Sequence, residues 1–422
     1  MEALFITHKY PPSIGGMEKQ SYELISGVSK SYKVHTLIYD NNTSKLNFFL
    51  SLSSKVKKIL KENPGISVIH LNDGLMALFG LFLRKITQVP ILVTLHGLDI
   101  VFPSKIFQST VEKHFKKYDG LIAVSRATAE ECLKRGFDRE KIFVVRNGVD
   151  TDLSEIHKKH NYRSMLEEKL QISLEGKKIL VSVGRSVIRK GFSWFLNKVM
   201  PKLDKDVIYI IIGPPQRHIK KIFLFLSLLP ERIALQISLV FGLGMDEIYI
   251  KKALKKPELK NRAFYLGKQP FEEMVQILKH SDLFIMPNIK VKGDAEGFGL
   301  VALEAAICGL PVVASAIEGI TCAVIDGGNG FLVPPQNPDS WVSKINSLLS
   351  DMKALKKFGE AAKHYTITNY KWERMVEGYI SIFKKFQYRQ PLSAKKVWNM
   401  EKKDYPEFSE SFNWNKFVRK NA

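Results

Sequence analysis

The chain has 422 residues, 45% apolar and 25% charged, with 64 Lys and Arg against 42 Asp and Glu, a net charge of +22 at neutral pH. Those proportions belong to globular proteins and exclude a fibrous or largely disordered chain, and at about 150 residues per domain the length predicts two or three domains. The positive excess favours an anionic partner: nucleic acid, a phosphorylated small molecule or an acidic lipid surface.

Cys132, Cys308 and Cys322 are odd in number, far apart and without a C-x-x-C pair. Neither a disulfide framework nor a structural zinc site is indicated, and a reducing cytoplasm is the expected compartment. The first six residues carry an acid, Glu2, where a signal peptide would be basic, and polar Thr7-His8-Lys9 follows, so export is not expected. The longest apolar stretches, residues 75–83 and 222–229, fall short of the roughly 20 residues of a spanning helix, and Glu231 and Arg232 break the second. No spanning segment is expected.

From the N-terminus, short apolar runs rich in β-branched residues recur at 3–7, 33–39, 68–71, 91–95, 121–124 and 142–145, separated by helical stretches. They are apolar throughout rather than at alternate positions, which predicts a parallel sheet covered by helices on both faces. After Asn147-Gly148-Val149-Asp150 the chain turns polar and basic through residues 157–163, and the pattern restarts at 179–183, 207–212, 264–266, 283–286 and 311–314. A second doubly wound unit follows from this, with a hinge near residues 150–175. The expected domains are 1–165, 166–375, and 376–422 as a C-terminal helix and tail packing back on the first.

Two stretches stand outside this rhythm. Residues 214–260 are long for a strand-helix-strand connection and join Phe223-Leu224-Phe225-Leu226 to Leu239-Val240-Phe241 between basic pairs. Two readings are open for them: a helical hairpin buried against its own domain, or an apolar, lysine-bordered surface on an anionic bilayer. The tail after Pro391 carries Trp398, Tyr405, Phe408, Phe412, Trp414 and Phe417, too many aromatics for a free end, and is expected to dock.

The strongest chemical signal is Glu296-Gly297-Phe298-Gly299-Leu300 with Glu304, after the run at 283–286. Glycines at a loop-to-helix junction let a phosphate approach the unpaired amides of the first turn, and the helix dipole adds attraction. Carboxylates repel phosphate, so Glu296 and Glu304 need another partner, for which sugar hydroxyls are the natural donors. Gly297-x-Gly299-x-x-Ala302 also imitates a dinucleotide fingerprint, but residues 288–295 separate it from its strand and no acid ends a strand about 20 residues on. A second signal, Gly184-Arg185 with Lys190-Gly191, follows the first strand of the second domain, where two fixed cations suit a diphosphate. The first domain supplies a phosphate-type turn, Gly15-Gly16-Met17-Glu18, and His96-Gly97-Leu98-Asp99 at a strand end.

The order Gly15-Gly16-x-Glu18, His96-Gly97-x-Asp99, Ala123-Val124-Ser125, Asn147-Gly148-Val149-Asp150, Gly184-Arg185-x4-Lys190-Gly191 and Glu296-Gly297-Phe298-Gly299-x4-Glu304-Ala305 resembles the retaining glycosyltransferases of family 4. These motifs run from residue 5 to about 335, and the helical stretch around Trp372 resembles the family's final helices. The resemblance implies an α/β GT-B fold, two Rossmann-like doubly wound domains with an interdomain cleft. It also implies a nucleotide-sugar donor, UDP- or GDP-linked hexose, and neither cofactor nor metal. By the family pattern Arg185 and Lys190 hold the diphosphate, helped by Gly16 and the amides around Gly297, Phe298, Gly299 and Leu300. Glu304 takes the ribose hydroxyls, and Glu296 and His96 contact the donor sugar.

Cleavage of a sugar–phosphate bond passes through an oxocarbenium-like state, and the Arg185-Lys190 pair and a helix dipole can stabilise the departing diphosphate without Mg²⁺. A double displacement would nominate Glu296 as nucleophile; the resemblance favours same-face attack, with the leaving phosphate accepting the acceptor's proton. Asp150-Thr151-Asp152 and Asp204-Lys205-Asp206 imitate a metal-binding D-x-D and read more simply as turns. Residues 316–322, Ala-Ile-Glu-Gly-Ile-Thr-Cys, depart from the family's glycines followed by proline and an acid. The function expected is hexose transfer to a membrane-associated glycan or lipid-linked acceptor in surface polysaccharide, lipopolysaccharide or glycolipid assembly. The protein would be cytoplasmic, peripheral at the inner face of the plasma membrane through an anionic surface, without nucleic acid as partner. Alternatives are a sugar-nucleotide epimerase or soluble-acceptor synthase of the same fold, or a nucleic-acid-binding protein.

Overall fold

The computed structural model describes residues 2–13, 15–40, 44–216 and 219–387; the tail aromatics from Trp398 to Phe417 lie outside the described residues. The chain forms two units, one of Met1–Val149, Ala295–Phe298 and the described residues from Tyr370 onward, the other of Asp150–Asp294 and Gly299–Asn369.

The first unit is built on six parallel strands, β1 (Glu2–Thr7), β2 (Lys33–Ile38), β3 (Ile66–Leu71), β4 (Ile91–Leu95), β5 (Gly120–Ala123) and β6 (Ile142–Val144), in the order β2-β1-β3-β4-β5-β6. β3, β4 and β5 are buried along almost their whole length, which is why they read as unbroken apolar runs. The Trp372–Gln387 helix belongs to this unit. Its Tyr379 hydroxyl is 2.8 Å from the Thr94 hydroxyl and accepts from Gln20 Nε2 at 3.2 Å, and its Phe383 ring lies 5.9 Å from Phe5. The chain comes back beside the point where it left, since the Val149 amide donates to the Tyr370 carbonyl at 2.8 Å.

The second unit holds β7 (Lys178–Val183), β8 (Val207–Ile212), β9 (Ala263–Gly267), β10 (Leu283–Met286), β11 (Val312–Ser315) and β12 (Gly330–Val333), all parallel, in the order β12-β11-β10-β7-β8-β9. One face of the sheet packs Phe195, Tyr209 and Trp341, the other Leu166, Ile210 and Ala302. Every residue of β8 is buried, and the single polar tip, the Tyr209 hydroxyl, is 2.6 Å from the Ser182 hydroxyl. β12 was not anticipated: it is four residues long and starts on glycine.

In each sheet the strand order reverses beside its first strand, between β1 and β3 and between β7 and β10. At such a switch point the loops diverge beyond the carboxyl ends and leave a crevice where ligands of open α/β sheets bind. The long 214–260 connection contains the helices Ile219–Ser227, Glu231–Phe241 and Asp246–Ala253. The last is built into the unit, with Asp246, Glu247, Ile250 and Ala253 buried, while the first two leave large apolar side chains exposed.

Candidate functional site

At the β7/β10 switch point of the second unit, β7 ends at Val183 and delivers Gly184 and an exposed Arg185 beyond the sheet. A 3-10 turn, Ile188–Lys190, follows, and the stem of the buried Lys190 folds back over Gly184. The loop is stitched to the neighbouring strand's end: the Ile289 amide donates to the Arg189 carbonyl at 2.9 Å, and Gly191 lies directly against the Pro287 carbonyl. Arg189 also pairs with the buried Asp294 at 3.4 Å. The backbone of the loop that carries Arg185 and Lys190 is thus held at the end of β7.

The Leu300–Ile307 helix begins at the same edge. Its N-cap Gly299, at φ 100°, sits over Met286, the last residue of β10, and no acid occupies its first turn. The Ala302 amide already donates to the Gly299 carbonyl at 3.0 Å, but the amides before it, at Leu300 and Val301, precede the helix's own bonds, so they and the dipole offer positive potential beside β10. Ala302, Leu303, Ala305, Ala306 and Ile307 are buried; Glu304, half-buried, is the helix's one ionisable side chain. Together these features set a helix N-terminus and, one turn on, a carboxylate beside the end of β10.

Beneath the Arg185–Lys190 loop lies a group that sequence reasoning missed. Asp246 donates its amide to the Ser186 carbonyl at 2.9 Å, and its carboxylate accepts from the Ser193 amide at 3.1 Å and from the Ser193 hydroxyl. Burial pushes this carboxyl up to about 6, with the Ser193 hydrogen bonds opposing. It clamps the loop to the first turn of the Phe192–Lys198 helix.

In the first unit, Gly16 opens the Gly16–Ser29 helix, and the Glu18 carboxylate folds back over Gly15 while pairing with Lys9 at 3.3 Å. His96, at the end of β4, accepts nothing through Nε2: that nitrogen lies 2.9 Å from the Asn72 carbonyl, an acceptor, so it carries the proton. The His96 amide donates to Asp99 at 2.7 Å. Burial pushes the Asp99 carboxyl up, more than the nearby His96 pulls it down. Gly297 belongs to this unit, its backbone seated on the His96 carbonyl. Phe298 is buried, 6.4 Å from the Tyr370 ring, so its side chain packs and only its backbone faces elsewhere; Glu296, next to them, is half-buried.

Sequence reasoning also missed His8 and Asp73, which pair at 3.1 Å across the ends of β1 and β3. Burial raises the Asp73 carboxyl, but the His8 hydrogen bond and charge prevail and hold it below the usual range. The available signal was positional: each is within two residues of a strand's end. Among the described residues no three His, Cys, Asp or Glu side chains form a cluster suited to a metal ion.

Two family models match the chain, "Glycosyltransferase Family 4" over residues 23–153 and "Glycosyl transferases group 1" over residues 166–365. The chain is 25% identical over 401 residues to an uncharacterized glycosyltransferase of Methanocaldococcus jannaschii, covering 89% of this chain and 95% of that protein. It is 25% identical over 419 residues to the alpha-maltose-1-phosphate synthase of Mycolicibacterium smegmatis, covering 91% and 99%. Among solved structures it resembles Anabaena HepE in complex with UDP and glucose, with a TM-score of 0.69 at 19% identity, over 91% of this chain and 99% of that one. That likeness extends to the fold.

Proposed function

The chain belongs to the group 1, family 4 glycosyltransferases and has their GT-B fold, and from that premise we propose that it transfers a hexose, with retention and without a metal, from a UDP- or GDP-sugar to a membrane-associated glycan or lipid acceptor. The observation that carries the reading is the pairing, at one switch point, of two cationic residues on one loop, Arg185 and Lys190, with a helix N-terminus at Gly299 and a carboxylate at Glu304.

In this reading Arg185, Lys190 and the amides at Gly299 and Leu300 take the diphosphate, with Gly16, Gly297 and Phe298 contributing backbone groups, and Glu304 accepts from the ribose hydroxyls. As the sugar–phosphate bond lengthens, negative charge grows on the departing oxygen, where fixed cations and amides stabilise it more than in the ground state. The acceptor hydroxyl attacks from the face the phosphate leaves, and that phosphate oxygen takes its proton. Glu296 accepts from the sugar's hydroxyls. His96, its Nε2 proton committed to Asn72, presents Nδ1 as an acceptor to the same sugar. The enzyme works in the cytoplasm, at the inner face of the plasma membrane, in surface polysaccharide, lipopolysaccharide or glycolipid assembly. UDP is the favoured nucleotide because HepE, which shares the fold, is in complex with UDP and glucose.

The test is a panel of UDP-, GDP- and ADP-sugars read by thermal shift, followed by turnover with extracted lipids as acceptor. At about a hundredfold over Kd a ligand of the native state adds roughly 2.7 kcal/mol, which raises the melting point by several degrees. UDP-glucose is expected to give that shift; no shift with any sugar nucleotide would refute the donor site. A second reading, a soluble-acceptor synthase whose product is a phosphorylated sugar, is favoured by the likeness to the alpha-maltose-1-phosphate synthase. Turnover with phosphorylated sugars and none with lipid extract would select it.

A further inference from the structure

The Ile219–Ser227 and Glu231–Phe241 helices are apolar around most of their circumference, a pattern that ordinarily means burial in a core or contact with lipid. Here one side is anchored and the other bare. In the first helix Leu226 is buried and the Phe223 ring meets Tyr249 at 6.5 Å, fixing the hairpin on the Asp246–Ala253 helix. At about 100° per residue, Leu224, Phe225 and Leu228 fall on the opposite arc with Lys221, and they are 65%, 59% and 78% exposed. Ile233, Val240 and Phe241 extend the bare surface along the second helix.

The sequence of the hairpin is predominantly basic. Residues 217–241 carry Arg217, Lys220, Lys221 and Arg232 against the single acid Glu231; Lys221 is exposed on the first helix, Lys251, which pairs with Glu247, and Lys252 are exposed on the Asp246–Ala253 helix, and Lys255 is exposed just past its end. A second copy of a chain with net charge +22 would be repelled here. Apolar side chains bordered by lysines fit a surface that is apolar within and anionic at its rim, which is a bilayer containing acidic lipids. Among the described residues no single helix is long and apolar enough to cross a membrane; Ile233–Phe241 reaches that length only with Asp246–Ala253, at a 90° bend, and the latter helix is built into the unit, so the hairpin would lie in the plane of the interface.

We propose that the Ile219–Phe241 hairpin of the second unit is the element that seats this protein on an anionic bilayer, with Leu224, Phe225 and Leu228 entering the headgroup layer and the flanking lysines meeting the lipid phosphates. The inference deepens the membrane side of the function proposed above and rests on it. It also places that surface next to the donor site, because the Gly242 carbonyl that ends the hairpin accepts from Arg185 Nη1 at 3.5 Å.

Co-sedimentation of the full chain with vesicles of equimolar phosphatidylglycerol and phosphatidylcholine, against phosphatidylcholine alone, tests it. Wild type is expected to pellet with the anionic vesicles only, and less as salt rises. Leu224→Ser/Phe225→Ser/Leu228→Ser, all at exposed positions, is expected to weaken that partition at least about tenfold while keeping the melting point and the UDP-glucose shift. Lys252→Glu/Lys255→Glu is expected to weaken it in low salt and to shrink the salt dependence. A triple-serine variant that pellets like wild type overturns the hairpin's role and leaves the membrane reading standing. Wild type that stays in the supernatant with both vesicles overturns the two together, with the donor shift still reporting on the enzyme. Vesicle binding unchanged but self-association lost in the triple variant, by sedimentation velocity, overturns the proposal in favour of a contact between copies.

Discussion

Gly191→Ala probes the joint that holds Lys190 in place. Gly191 has φ 67° and ψ 18°, the left-handed region, where an L-residue costs about 1–2 kcal/mol. An added Cβ would also fall within the Pro287 carbonyl oxygen, a backbone atom at the end of β10 that cannot yield as a side-chain tip would, and would crowd Ile289 Cγ2 at 3.1 Å. Relieving that overlap requires the 188–192 loop to shift by about an ångström, which adds roughly 1–3 kcal/mol of strain. The sum, about 2–5 kcal/mol, lowers the melting point of a unit this size by roughly 5–15 °C. Lys190 moves with the loop, and losing one charge-assisted hydrogen bond of about 1.5–3 kcal/mol weakens UDP binding by roughly ten- to a hundredfold. Gly176→Ala is the control: φ is +64° there too, but nothing lies within 4 Å of the new methyl, so it carries the conformational cost alone. Calorimetric melting with UDP titration compares the two variants. If Gly191→Ala melts with Gly176→Ala and binds UDP like wild type, the close approach to Pro287 does not organise the site.

Further outcomes follow from single groups. Asp246 titrates in the folded protein at about 6 against an ordinary 3.8, so between about pH 4 and 6 the native state keeps a proton that the unfolded chain has released. Its contribution therefore falls as pH rises through that window and stays low above it. Asp246→Asn should flatten this, narrowing its stability deficit, or gaining outright, by up to about 3 kcal/mol between pH 4 and 7 in urea unfolding; parallel curves would count against the buried charge. Lys190→Ala should weaken UDP itself, whereas Glu296→Gln should keep donor affinity and lose most turnover; normal turnover in either variant argues against the site. Tyr379→Phe removes the hydroxyl that meets Thr94 and Gln20, and should cost about 1–3 kcal/mol in the first unit's unfolding. A neutral result would mean that the last helix is not integral to that unit.

The strands whose limits are legible in the sequence are buried on both faces, because burial on both sides forbids polar interruptions: β4, β8 and β10 begin and end where their apolar runs do, whereas the edge strands β2 and β9 are announced by runs that do not match their limits and are only partly buried. β12 escapes that logic. It stands at the sheet's edge, pairs only with β11, begins at Gly330, and draws part of its stability from the Asp326 carboxylate that accepts the Leu332 amide at 2.9 Å. A partner outside the run leaves no mark in the run's own pattern.

The same distinction divides the site. Arg185, Lys190 and Gly299 stand out as candidates because a loop that follows a strand or opens a helix has a local signature: glycine where the backbone turns left-handed, cations just past the strand's end. What holds them could not. Gly191 against Pro287 and Asp246 against Ser193 are contacts between segments distant in sequence, and each residue alone is an ordinary glycine or helix-start acid. The hairpin was ambiguous for a related reason. Apolar helices read alike whether they face a core or a bilayer, and only the placement of Leu226 inward and Leu224 outward separates the two sides. The candidate groups are thus written locally, while the support of the loop that carries Arg185 and Lys190 depends on the fold bringing β7 beside β10. Substitutions at the supports should accordingly change donor affinity without altering any atom that touches the donor.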